Sequence, residues 1–286
     1  MDKLTSAAKR AIVHSLKVKK GERLLLGTDR QKMKAEETKS FEEVVAGLPV
    51  EFALSEKRLK GISRITHVPP GAAILDIGAA QGEFVAACVK LGYRAVGLEP
   101  WEQARTTAAQ LSEYLSIPLD IREGSAESLP FEDAVFDVVH STSVLEHVVN
   151  LEASISEAFR VLKPGGVFYF NSASSLCPQQ SEIKGFPLFG WYPDRLKIRI
   201  MEWAKQNRPA LIGYTEHPAI HWFTPWKARR ILREHGFTNV YDRWDISRAC
   251  ETERYRAFAF RTITLGRFTK FLADVMRQGC NYAAIK

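Results

Sequence analysis

The chain holds 286 residues, 45% hydrophobic and 26% charged, which is close to the average for a soluble globular protein and excludes wholesale disorder or a fibrous fold. Its formal charge of +7 gathers at one end: residues 1–34 carry ten basic and three acidic groups, and the other 252 residues balance at 30 against 30. A chain-wide nucleic-acid surface is therefore not implied, and four scattered cysteines without a C-x-x-C pair suggest neither a zinc site nor a disulfide framework.

Within the basic N-terminal segment, Leu4, Ala8, Ala11, Ile12 and Leu16 recur at helical spacing, so the pattern predicts a short basic amphipathic helix. Such a helix docks on the main domain or makes weak contact with a membrane surface or an acidic partner. No apolar run approaches the roughly 18 to 20 residues that a membrane span needs, and no secretory apolar core opens the chain. The expectation is a cytoplasmic protein. Residues 1–66 read as a helical extension, with residues 67–286 forming the main domain.

From Ala72 the texture becomes short apolar runs separated by helical stretches. Strands are predicted at Ala73–Ile77, Arg94–Leu98, Pro118–Ile121, Phe136–Val139 and Gly166–Phe170. That alternation predicts a Rossmann-like, doubly wound α/β sheet with helices on both faces. Residues 174–223 lose the rhythm and become rich in Pro, aromatics and His, as a lid-like insertion would. Thr224 as N-cap, Pro225 at the first helical position and Gly236 beyond the end delimit a helix over Lys227–Glu234. Two late strands, Asn239–Ile246 and Tyr282–Ile285, flank a last helix near Phe268–Met276. With the last strand antiparallel, the sheet has seven strands.

The densest signal is Ile74-Leu-Asp-Ile-Gly-Ala-Ala-Gln-Gly-Glu83 at the end of the first strand. A glycine turn there lets a ligand approach the backbone before a helix starts. Glu99 ends the second strand, where a carboxylate can accept both hydroxyls of a ribose. A dinucleotide fingerprint needs a small residue at position 83, which is Glu. Its carboxylate repels a pyrophosphate, so a cofactor without phosphates fits better.

These residues resemble the class I S-adenosylmethionine-dependent methyltransferases, particularly the type 11 small-molecule group. Asp76, the Gly78–Gly82 turn and Glu99 match the family's first acid, turn and second acid. Gly124-Ser-Ala-Glu-Ser-Leu-Pro-Phe131 resembles the adenine segment, with Ser125 where the family usually has Asp. Phe136-Asp-Val-Val-His-Ser-Thr-Ser-Val-Leu-Glu-His147 resembles the strand and loop where cofactor and substrate meet, and Glu157–Gly166 the helix and turn before the fifth strand. The resemblance implies S-adenosyl-L-methionine as cofactor, bound by Asp76, Gly78, Ala79, Ala80, Gly82, Glu99, Pro100, Ser125, Ala126, Glu127, His140 and Ser141, with no metal.

Methyl transfer from a sulfonium is an in-line displacement in which positioning and desolvation supply much of the acceleration. Where a base is needed, His147 after the fourth strand is the first candidate and His221 the second. Glu146 orients His147 or faces solvent. Four of the six tryptophans fall within residues 186–226, an aromatic surface suited to a flat or hydrophobic acceptor. His217 and His221 stand four apart with Glu216 beside them, but Pro218 disfavours the continuous helix that a metal pair needs. The expected function is methyl transfer to oxygen or carbon of a small acceptor. The alternatives are a nucleic-acid methyltransferase and a non-catalytic cofactor-binding protein. The former lacks both the Asn/Asp-Pro-Pro-aromatic motif after the fourth strand and a Pro-Cys nucleophile.

Overall fold

The computed structural model describes residues 39–286 except 214, 216 and 251–253. The predicted basic helix around Leu4–Leu16 and its membrane-surface contact lie outside the described residues. The first element is α1 (Phe41–Ile65), which starts at a capping box: Ser40 Oγ accepts from Glu43 N, and Glu43 Oε2 accepts from Ser40 N. That reciprocal pair satisfies two of the N–H groups a helix start leaves without partners.

The elements then follow as β1 (Ala73–Ile77), α2 (Glu83–Lys90), β2 (Arg94–Leu98), α3 (Glu102–Leu115), β3 (Asp120–Arg122), β4 (Phe136–Thr142), α4 (Leu151–Val161) and β5 (Leu162–Ala173). The insertion contributes α5 (Asp194–Asn207) between two short 3-10 turns. The chain ends with α6 (Pro225–Glu234), β6 (Val240–Asp242), α7 (Arg243–Cys250), α8 (Arg254–Leu265), α9 (Arg267–Val275) and β7 (Gly279–Ile285). The strands form one seven-stranded sheet in the order β3-β2-β1-β4-β5-β7-β6. β1 to β5 run parallel, and β7 pairs antiparallel with both β5 and β6.

Period-two alternation sorts the strand side chains onto two cores. Leu75, Ile77, Val139, Phe168 and Phe170 face Ile155 and Ala158 of α4 and Ile231 and Leu232 of α6. Ile74, Val138, Val167 and Tyr169 face Leu59 and Ile62 of α1, Phe84 and Cys88 of α2, and Ile246 of α7. The crossover helix α4, between β4 and β5, and α1 thus cover opposite faces, which is the doubly wound arrangement.

Two expectations change. The run from Asn239 to Ile246 is strand only as far as Asp242. There the Asp242 Oδ1 accepts from Trp244 N at 3.0 Å and Asp245 N at 3.3 Å, so its side chain turns the strand directly into α7. The end of α7 beyond Ile246, and α8, also fill residues that the sequence left without elements. The α6 boundaries follow expectation: Thr224 Oγ1 accepts from Lys227 N at 3.2 Å, and Gly236 takes a left-handed φ of 93° after the helix.

The insertion folds around a core of its own, in which Phe189, Met201, Ala204, Ile212 and Trp222 are buried. It joins the sheet through the Ser174–Phe223 bridge at the C-terminal end of β5. Among the described residues no helix is long and apolar enough to cross a membrane.

Candidate active site

A cavity of about 550 Å³ opens at the C-terminal ends of β1, β2 and β4, where ligands of open α/β sheets bind. Its floor is the turn after β1. Gly78 has φ of 74°, and a Cβ there would stand 2.2 Å from Val144 Cγ2, so only glycine fits both the backbone and the space. Two residues with side chains, Ala80 at φ 46° and Ser143 at φ 58°, also adopt left-handed backbone along the cavity. Such conformations in non-glycine residues concentrate at ligand sites because surrounding structure has to enforce them.

Glu99 ends β2 and is 5% exposed. Its Oε2 accepts from Ala80 N at 2.9 Å and its Oε1 from Trp101 N at 3.1 Å. The carboxylate is thereby pinned between the turn after β1 and the start of α3. Burial raises its pKa, opposed by those two backbone bonds and reinforced by nearby Asp76. Glu127 forms another fixed wall, its Oε1 accepting from Val149 N at 3.0 Å.

The cavity gathers Gly78, Ala80, Glu99, Pro100, Ser125, Ala126, Glu127 and His147 from the twelve cofactor positions and the two base candidates. Asp76, Ala79, Gly82, His140 and Ser141 do not line it. Asp76 and His140 sit on the opposite face of the sheet, 4% and 2% exposed, and join through Asp76 Oδ1 and His140 Nδ1 at 2.7 Å. Thr142 Oγ1 lies 3.0 Å from His140 Nε2, while Phe84 stacks on the ring at 3.8 Å and Tyr169 at 5.6 Å. The pair braces β1 against β4 behind the cavity floor. Alternation accounts for their placement: Ile77 and Ser141 point one way, Asp76 and His140 the other. Gly82 caps α2, Ala79 is packed beneath, and the Ser141 hydroxyl is buried without a partner among the described residues.

Three further features were not read from the sequence. Lys39, just before α1, lines the cavity and pairs with the buried Glu83 at 3.1 Å. This answers the charge that argued against a pyrophosphate, though that carboxylate still sits at the head of α2. Trp101 forms a wall and lies near the His217 ring, with centroids 6.4 Å apart. From the insertion, Thr215 and His217 reach the cavity; Tyr214 and Glu216 lie outside the described residues.

His147 Nδ1 stands 2.6 Å from the His217 carbonyl oxygen. A carbonyl only accepts, so Nδ1 carries the proton and Nε2 is the basic atom. His221 does not line the cavity. Its Nε2 donates to the Val148 carbonyl at 3.0 Å, and burial, with Lys227 nearby, lowers its pKa. Glu146 does not face solvent: it is 4% exposed and accepts from Ser172 Oγ at 2.6 Å. Its backbone carbonyl receives Ile220 N and His221 N at 2.7 and 3.1 Å, anchoring the end of the insertion to the loop after β4.

The profile of the methyltransferase domain family, type 11, matches residues 75–170, from β1 through the core of β5. Over those residues the chain carries a class I S-adenosylmethionine-dependent methyltransferase domain. A probable S-adenosylmethionine-dependent methyltransferase of Mycolicibacterium smegmatis is 31% identical over 135 residues, 47% of this chain and 51% of that protein. A ubiquinone biosynthesis O-methyltransferase of Paramagnetospirillum magneticum is 34% identical over 98 residues, 34% of this chain and 39% of that protein. The chain thus spans about half the length or less of these relatives. Among solved structures, a geranyl diphosphate methyltransferase in complex with S-adenosylmethionine superposes with a TM-score of 0.52 at 17% identity, covering 82% of this chain and 84% of that one. That likeness concerns the methyltransferase fold.

Proposed function

We propose that this methyltransferase binds S-adenosyl-L-methionine in the cavity between β1, β2 and β4 and transfers its methyl group to oxygen or carbon of a small, flat, hydrophobic acceptor. The observation that carries the reading is the Glu99 carboxylate. It is pinned by the N–H groups of Ala80 and Trp101 on the rim of a cavity whose floor at Gly78 leaves no room for a Cβ. Each carboxylate oxygen retains a lone pair after its backbone bond, so two ribose hydroxyls can be accepted side by side. Ser125 and Ala126 offer the opposite wall for a base, and the Gly78–Gln81 turn borders the amino-acid part.

When bound, the cofactor supplies an already activated methyl group. The chain's own residues position and desolvate. Trp101, Val144, Val148 and Val149 give apolar walls, excluding water from the space next to the turn. His147 Nε2 accepts the proton of an acceptor hydroxyl, its tautomer held by the His217 carbonyl as a base needs. The ubiquinone biosynthesis O-methyltransferase among the relatives favours a hydroxylated ring as acceptor.

The test is calorimetry with S-adenosylhomocysteine, followed by turnover of labelled S-adenosylmethionine on catechols and hydroxyquinols. Cofactor binding with methylated ring product is expected. Binding without turnover on any hydroxylated ring overturns the acceptor assignment, and absent binding overturns the cofactor assignment.

A further inference from the structure

A second cleft, of about 760 Å³, lies beyond the C-terminal end of β5 and shares no lining residue with the cofactor cavity. The insertion and the start of α6 form its walls. We propose that this cleft is a binding site for an organic anion, a phosphate or carboxylate carried on a flat aromatic body.

Charge is the first ground. Lys197, Lys227 and Arg230 line the cleft against one carboxylate, Asp194, leaving two net positive charges. Lys197 is 1% exposed, a rare state for a lysine. Its Nζ bonds Asp194 Oδ1 at 2.7 Å and stands 4.2 Å from the centre of the Trp222 ring. Burial lowers its pKa, with the Asp194 bond opposing, so an anion in the cleft would stabilise its charged form. Lys227 Nζ is fixed by the Trp222 carbonyl at 2.9 Å, and Arg230, one turn along, lies 3.8 Å from Glu234 at the exposed surface.

Backbone polarity is the second ground. Two helices begin at the cleft: α5 with Pro193 and Asp194, and α6 with Thr224 and Trp226. The first turn of a helix presents N–H groups without intrahelical acceptors and the positive end of the helix dipole. Thr224 Oγ1 already accepts from Lys227 N and the Pro193 carbonyl from Leu196 N, so what the two ends add beside the three cations is the favourable sign of their dipoles. Trp222, which also lines the cleft, has a buried indole N–H with no acceptor among the described residues, and a buried donor left without a partner is costly.

The walls supply the third. Trp191 and Trp226 are 57% and 60% exposed, and Tyr192 also lines the cleft. Large aromatic faces left open beside cations suit a flat ring. The wall's shape is enforced. A Cβ at Gly190 would stand 1.9 Å from the Cys177 carbonyl oxygen, and Gly190 N already bonds the Pro178 carbonyl at 3.1 Å. Trp191 Nε1 donates to the Leu176 carbonyl at 2.8 Å, locking the ring in place.

The experiment is calorimetric titration of phenyl phosphate into the whole protein, with S-adenosylhomocysteine present in excess to occupy the cofactor cavity. Saturable binding is expected, weakened at least roughly tenfold, about 1.4 kcal/mol, in the Trp226→Ala/Arg230→Ala double variant. Both of those residues are exposed, so the fold should stand, as an unchanged thermal midpoint would confirm. Lys197→Met tests the buried cation separately. Phenol, with the ring and no charge, and inorganic phosphate, with the charge and no ring, should each bind at least roughly tenfold more weakly. No saturable binding of phenyl phosphate, an unchanged constant in the double variant, or either control matching phenyl phosphate overturns the proposal.

Discussion

The hydroxyl of Ser172 on β5 donates a 2.6 Å hydrogen bond to the carboxyl of Glu146, one residue before His147 on the cavity wall. The pair couples the end of β5, where the insertion begins, to the loop after β4. Burial pushes the Glu146 carboxyl up to about 7, against the opposing bond from Ser172. A group whose folded pKa lies above its unfolded value contributes stability that is present in full below the unfolded value. That stability is lost as pH rises through the folded one. Wild-type stability should therefore fall between about pH 4.5 and 7. At 1.36 kcal/mol per pKa unit, the loss is on the order of 3 kcal/mol. Denaturant midpoints should show that slope flattened in Glu146→Gln, which has nothing to ionise. A variant with the same slope as wild type would assign the dependence to another group.

Glu99→Ala removes two charge-assisted acceptors, each contributing about 1.5 to 3 kcal/mol. Affinity for S-adenosylhomocysteine should fall at least roughly tenfold. Because burial raises the Glu99 pKa, wild-type affinity should also weaken on acidification before an ordinary glutamate would protonate. The Ala variant should lack that weakening. Calorimetry across pH reads both, and an unchanged affinity refutes the ribose role.

Gly78→Ala puts a methyl 2.2 Å from Val144 Cγ2 at a φ of 74°. Left-handed backbone alone costs about 1 kcal/mol for alanine, and the clash adds displacement of the cavity wall. Cofactor affinity should drop sharply, and Val144→Ala should restore part of it in the double variant. The double-mutant cycle isolates the contact from the backbone strain. Additive losses would place the effect in the backbone alone.

His147 and His221 should separate by kinetics. With Nδ1 tied to the His217 carbonyl, His147→Gln should lower kcat while leaving S-adenosylhomocysteine affinity within about twofold, and flatten the acid side of the rate profile. His221, bonded to the Val148 carbonyl, can act only by positioning that wall. His221→Gln should shift acceptor KM and keep the shape of the pH profile. If His221 instead carries the pH dependence, the assignments exchange.

The order of β1 to β5 and the capped start of α6 were legible because their signals are local: alternating or continuous apolar runs, a glycine turn, Thr224 followed by Pro225. The face each polar residue would choose was less legible. Asp76 and His140 belong to the motif stretch, yet strand alternation sends them into the core opposite the cavity, and only the register between β1 and β4 reveals that they meet. Glu146 escaped because nothing near it in sequence announces Ser172. The strand ending at Asp242 was overrun because a side-chain cap, rather than a Gly or Pro, stops it.

The insertion was expected to act as a cover over the acceptor, and its aromatic content was the motive. Trp222 is instead 1% exposed at the centre of the insertion's own core, packed against Phe189 and under Lys197. Trp222→Ala should therefore cost about 3 to 5 kcal/mol and lower the thermal midpoint, reading as a folding defect. Contact with the cavity passes through Thr215 and His217 at the insertion's edge. His217 is not packed in that core, so His217→Ala should leave the midpoint nearly unchanged. Its backbone carbonyl would still hold His147, while the ring next to Trp101 would be gone. Acceptor KM should rise with cofactor affinity preserved. Equal losses of stability in both variants would show that the edge is as structural as the centre, and acceptor selection would then rest with Trp101 and the loop after β4.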